Sequence, residues 1–102
     1  MYKIIVSEDA HNDIDEIMYY IDNKLENMQA AMGFLDDIEQ SYRSLEGHPN
    51  MYTLCPDVRL REKGYRQIPI KNCLIFYRVD DVNNVVYIVR VVYGGREYGK
   101  LM

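Results

Sequence analysis

Cys73-Leu74-Ile75-Phe76-Tyr77-Arg78-Val79-Asp80-Asp81-Val82-Asn83-Asn84-Val85-Val86-Tyr87-Ile88-Val89-Arg90-Val91-Val92-Tyr93 sets the architecture of the chain. Two runs of β-branched and aromatic residues, Cys73–Val79 and Val85–Tyr93, flank a polar Asp/Asn cluster, the pattern of an antiparallel hairpin. Pairing Val79 with Val85 sets Tyr77 opposite Tyr87, Ile75 opposite Val89 and Cys73 opposite Val91. That face is wholly apolar or aromatic and needs a cover. The other face carries Leu74, Phe76 and Arg78 beside Val86, Ile88 and Arg90, an apolar groove with cationic points. Two readings stand for it. An amphipathic partner segment lies in the groove, or Arg78 and Arg90 pair with acids from a helix or the tail.

The cover comes from upstream. Tyr2–Val6 reads as a short strand. Ser7 is a helix N-cap, with Glu8 and Asp9 placing negative charge on the first turn. Ala10, Ile14, Ile17, Met18, Ile21 and Leu25 form one helical stripe, while Asp13, Asp15, Glu16, Asp22 and Glu26 occupy the remaining surface. Asn27 caps a second helix with the stripe Ala31, Phe34, Leu35, Ile38, Tyr42, Leu45, which stops at Gly47 in a left-handed C′ position and Pro49 beyond. Residues 48–64 read as a long loop, and long loops more often carry function. Tyr65–Ile70 is another strand, which Pro69 confines to an edge or a bulge. Lys71-Asn72 turns it into Cys73–Val79. The expected fold is α+β, in the order β-α-α-β-β-β: a helical hairpin on one face of a small, mainly antiparallel four-stranded sheet, then a short tail.

At 102 residues the chain is expected to be one domain, residues 1–102, because two separate cores would each be too small. The longest apolar run, Val85-Val86-Tyr87-Ile88-Val89, is far too short to cross a bilayer. The apolar start ends at Ser7-Glu8-Asp9, too early for a secretory signal, so a cytoplasmic protein is expected. Cys55 and Cys73 lack disulfide or zinc spacing and read as idle thiols. Charge is divided unevenly. Residues 1–47 hold Lys3, Lys24 and Arg43 against eleven acids, a balance of −8; residues 48–102 hold nine Lys or Arg against five acids, a balance of +4. The basic half suits an anionic partner, or the two halves attract each other or simply keep their outer faces wet.

No metal or cofactor is expected. Gly94-Gly95 lacks a nucleotide-loop consensus, and His11 and His48 read as solvated surface groups. What remains is basic and tyrosine-rich: Arg59, Arg61, Lys63, Arg66, Lys71, Arg78, Arg90 and Arg96 with Tyr65, Tyr93 and Tyr98. RNA cleavage by a 2′-hydroxyl needs no metal. It requires a base, cations for the developing phosphorane charge and an acid for the leaving oxygen. Arginines and a tyrosine can supply the last two, with Glu62 or Glu97 the available bases.

Three segments resemble the RelE/ParE superfamily of toxins from type II toxin–antitoxin systems: Ala30-Ala31-Met32-Gly33-Phe34-Leu35-Asp36-Asp37-Ile38, Leu74-Ile75-Phe76-Tyr77-Arg78-Val79 and Val91-Val92-Tyr93-Gly94-Gly95-Arg96-Glu97-Tyr98. Together with the element order, the resemblance spans essentially the whole chain. It implies a growth-arresting toxin neutralised by a cognate antitoxin in a toxin–antitoxin hetero-oligomer. Two actions divide the superfamily. RelE-like members are ribosome-dependent mRNA endoribonucleases; for them the resemblance implies Arg66, Arg96, Tyr93 and Tyr98 as catalytic residues. ParE-like members poison DNA gyrase. Leu74 stands where the ribonucleases usually carry Arg, Gln67 and Ile68 follow Arg66 where basic residues are common, and the net charge of −4 suits ribosomal RNA poorly. The reading leans to the gyrase poison. The mRNA endoribonuclease and an inactive binding or regulatory relative remain the alternatives. The residues expected to meet a partner are Leu74, Phe76, Arg78, Ile88, Arg90 and Arg61.

Overall fold

Ser7 starts the first helix, as its residue type predicts. In the computed structural model, which describes residues 1–94, its backbone is extended and its Oγ accepts a hydrogen bond from the Ala10 N–H at 3.0 Å. Before it runs β1 (Lys3–Val6), and after it α1 (Glu8–Tyr19). At Tyr20 the helix widens into one π-helical turn, Tyr20–Lys24. Helix α2 (Met28–Gly47) begins on Asn27, whose Oδ1 accepts from the Ala30 N–H at 3.0 Å. Gly47 differs from expectation. It is the last helical residue, not a left-handed cap, and the chain departs through His48 at φ −140°.

The 48–64 connection is not all loop. It contains α3 (Val58–Glu62), nucleated by the Asp57 Oδ1, which accepts from the N–H groups of Arg59 and Leu60 at 3.0 and 3.2 Å. Gly64 then takes φ +83°, the left-handed conformation that glycine adopts without a Cβ clash. Five residues are too few to show a hydrophobic period, so the sequence gives no sign of this helix.

The sheet is formed by β2 (Arg66–Ile70), β3 (Cys73–Asp80) and β4 (Val85–Tyr93) with β1, in the spatial order β1-β4-β3-β2. β1 runs parallel to β4, and the other pairs are antiparallel. Pro69 sits exposed on the edge strand β2, as its missing N–H requires.

The β3–β4 register corrects the sequence reading. Val79 pairs with Val86, not Val85; Tyr77 pairs with Ile88; and beyond a bulge Phe76 pairs with Arg90 and Ile75 with Val91. Val89 is thus the extra residue. One slip exchanges the two faces of β4, and the bulge exchanges them again. For this reason Ile88 and Val91, three apart, share one core, while Val89 and Val92, also three apart, share the other. The backbone groups freed by the bulge are taken up by α1. Ser7 Oγ donates to the Val89 carbonyl at 2.9 Å, and the Val91 N–H donates to Asp13 Oδ2 at 2.9 Å.

The main core lies between the helical hairpin and the sheet. It joins Ala10, Ile17, Phe34, Ile38 and Leu45 to Ile75, Tyr77, Val86, Ile88 and Val91. Buried Tyr77 donates its hydroxyl to the Pro49 carbonyl at 2.9 Å, and Tyr52 packs edge-on to its ring. The Tyr42 hydroxyl is buried with no hydrogen-bond partner among the described residues.

Burial pushes the Tyr42 and Tyr77 phenols up to about 12 and the Cys55 and Cys73 thiols up to about 11. Each group holds its proton more tightly in the folded chain than in the unfolded one. Its contribution to stability is therefore whole below the unfolded value and is lost as pH rises through the folded one. Denaturant midpoints should hold steady up to about pH 9 and then fall steadily toward pH 12. Both thiols should resist a disulfide reagent at about pH 8 until the chain is unfolded. A midpoint that rises above pH 9 would contradict this.

Candidate partner-binding surface

Leu60 fastens α3 to the sheet face opposite the helical hairpin. With Cys55, Phe76 and Val92 it makes a second, smaller core, against which Tyr65, Leu74 and Val89 pack. The rest of α3 and its exit, including Arg59, Arg61 and Lys63, is exposed. Asp57 lies 4.0 Å from the Arg59 guanidinium, whose side chain is 73% exposed, so that pair adds little stability and leaves the cation available. Arg78, two residues along β3 from Phe76 and on the same face, is exposed, its guanidinium 4.9 Å from the centre of the Tyr87 ring. Stacking on an aromatic face leaves the edge of a guanidinium open to an incoming group. The outer side of the sheet thus presents cations on an aromatic and apolar ground.

Arg90 is not part of that surface. Its Nε and Nη2 donate to the two oxygens of Asp13 on α1 at 2.8 and 2.9 Å, with side chains 23% and 13% exposed. Asp13 favours the charged guanidinium and raises the Arg90 pKa further. Of the two readings of the arginines, pairing with a helical acid describes Arg90, and an open face describes Arg78. Asp13, expected among the wet outer acids, is a joint between helix and sheet. Its signal was present in the sequence: it lies three residues after Ala10 and four before Ile17, on the flank of the buried stripe.

Ile88 lies wholly buried in the main core, and Phe76 wholly buried under α3, so neither side chain lies open at the surface. Leu74 is half-buried beside Phe76; Arg61 is exposed. The slip in register explains Ile88, and the unforeseen α3 explains Phe76.

The residues proposed for RNA chemistry do not assemble where they are described. Arg66 pairs with Tyr77 across the β2–β3 ladder, and its Nη1 donates to the Tyr52 carbonyl at 2.6 Å. Tyr93 of β4 pairs with Cys73, at the other end of β3, and its ring rests 5.4 Å from that of Tyr20. Four residues of strand separate the two positions, roughly 13 Å along β3, and they lie on opposite sides of it, roughly 10 Å apart across the sheet. Arg96 and Tyr98 lie outside the described residues. Glu62 is exposed on α3, and His11 and His48 are exposed. Among the described residues no three His, Cys, Asp or Glu side chains gather to hold a metal ion, and no helix is long and apolar enough to cross a membrane.

A helical hairpin on one face of a mixed four-stranded sheet is a fold shared with chains of solved toxin–antitoxin complexes. A chain of the chromosomal ParDE TA system from P. aeruginosa matches at a TM-score of 0.70 with 20% identity, over 93% of this chain and 98% of that one. A chain of the RelBE2 complex from Mycobacterium tuberculosis matches at 0.58 with 18% identity, over 90% and 96%. One from the intact E. coli RelBE complex matches at 0.62 with 13% identity, over 94% and 100%. At sequence level the model of the ParE toxin of the type II toxin–antitoxin system parDE covers residues 4–98. The chain belongs to the ParE toxin family. No curated protein sequence matches it.

Proposed function

We propose that this toxin arrests growth by gripping a macromolecular target, DNA gyrase, and that a cognate acidic antitoxin segment silences it by covering the same outer face. The observation that carries this reading is the separation of Arg66 from Tyr93. Cleavage through a 2′-hydroxyl needs cation, acid and base around one phosphate, and groups at opposite ends of a sheet do not meet there. The Arg66 guanidinium also holds the 48–64 segment through the Tyr52 carbonyl, a structural role. Exposed Arg59, Arg61, Lys63 and Arg78 suit a long contact with an anionic or acidic surface, where opposed charge speeds encounter and fixes orientation.

Expression of the chain alone in a bacterium, with transcript ends and chromosomal breaks mapped together, tests the reading. Growth should stop with broken DNA and whole transcripts. Reversing two exposed charges, Arg61→Glu with Arg78→Glu, should restore colony formation by about tenfold or more while the melting temperature holds. Transcripts cut between codons, or a double variant as toxic as its parent, would overturn it. A gene for a short acidic protein with a DNA-binding end is expected beside this one.

A further inference from the structure

Where α1 passes into its π-helical turn, the hairpin and the end of β4 leave a cleft of about 430 Å³ lined by Asp13, Glu16, Ile17, Tyr20, Val91 and Tyr93. Its floor is apolar, through Ile17 and Val91. Its walls are aromatic, since the Tyr20 and Tyr93 rings meet at 56°. Its rim is acidic. Asp9, Asp13 and Glu16 follow one another at helical spacing on the side of α1 that faces Arg90, which feels all three. Arg90 is committed to Asp13, so among the described residues the carboxylates outnumber the cation there, and Asp9 and Glu16 are exposed. An apolar cleft with aromatic walls and surplus negative charge takes an arginine flanked by apolar groups.

The same chain carries such a group elsewhere. On α3, Val58 is 54% exposed and stands three residues before exposed Arg61, on one side of a single turn, with Arg59 and Lys63 adjoining. The cleft's carboxylates come from the acidic half of the chain, −8, and the cations of α3 from the basic half, +4. They lie on opposite sides of the sheet, so one copy cannot join its own. We propose that the α1–β4 cleft of one copy receives the Val58–Arg61 side of α3 from a second copy. The contact is heterologous, head to tail, and so extends beyond a dimer as concentration rises. It goes beyond the gyrase reading and is measured by mass in solution, not toxicity.

Sedimentation of the purified chain at low ionic strength tests it. Average mass should rise with concentration, and raising salt from about 0.05 to about 0.5 M should weaken association roughly tenfold. Glu16→Arg alone and Arg61→Glu alone should each stay monomeric, since each places like charges in the contact. Mixing the two variants should restore association, because each contact then joins opposite charges. Circular dichroism melting confirms that both variants fold; each change is at an exposed position. A parent chain that remains monomeric at every concentration, single variants that associate as the parent does, or a mixture that stays monomeric would overturn the proposal.

Discussion

Replacing Asp13 with Ala should lower unfolding free energy by about 3 kcal/mol, toward the lower end of what the loss of one partner from a buried, hydrogen-bonded ion pair costs. Among the described residues three donors share this carboxylate: Arg90 Nε, Arg90 Nη2 and the Val91 N–H. The pair is not sealed from water, with the Arg90 side chain 23% exposed, which moderates the loss. Against a usual total of about 5–15 kcal/mol for a small domain, the change is large. It should also act locally. The Val91 N–H belongs to the bulge that re-aims β4, so its amide should exchange with solvent much faster in the variant. Asp13→Asn keeps an acceptor for that N–H but loses the charge on the guanidinium, and should fall between parent and Ala variant. Urea unfolding of the three proteins measures this. An Ala variant within about 0.5 kcal/mol of the parent would show the pair to be incidental.

Ile88→Ala should cost about 2–5 kcal/mol, the range for truncating a buried aliphatic side chain in a packed core. Ile88 is wholly buried beneath the helical hairpin, opposite Tyr77 and beside Val6 of β1. Arg78→Ala, ten residues earlier, should cost about 0.5–1 kcal/mol, since what is lost is an exposed stacking contact with Tyr87 and a weak attraction to Asp80. The two changes separate core from contact surface. If Ile88 faced a partner, its truncation would leave stability untouched and weaken binding instead. The expected result is the reverse: Ile88→Ala melts early, and Arg78→Ala folds normally.

The starts of the two long helices and the limits of β4 were legible because local chemistry sets them. Ser7 and Asn27 supply the capping oxygens that mark both helix starts, and Val85–Tyr93 runs to the limits read from its composition. The β4 register was not legible. From Val85 to Val92 only Tyr87 and Arg90 interrupt the aliphatic residues, so no alternation marks which side faces the core. The bulge at Val89 is set by tertiary partners, Ser7 and Asp13, more than eighty and seventy residues away. Helix α3 escaped notice because it rests on a single Asp cap and one buried Leu60. These two omissions account for the burial of Ile88 and Phe76 and the pairing of Arg90, while Arg61 and Arg78 are exposed.

The fold and the proposed action are linked by the sheet's two sides. One is roofed by the hairpin and fastened through Asp13; the other is half-covered by α3 and keeps its cations outward. A toxin that acts by binding its target needs such a charged platform more than it needs a converged set of acid and base groups. The measurement that bears most directly on this is a supercoiling assay with purified gyrase, run beside translating ribosomes charged with a defined mRNA. The chain should block supercoiling and leave cleaved plasmid when gyrase is stripped from it, with the message intact. Intact supercoiling beside a message cut on the ribosome would contradict the account.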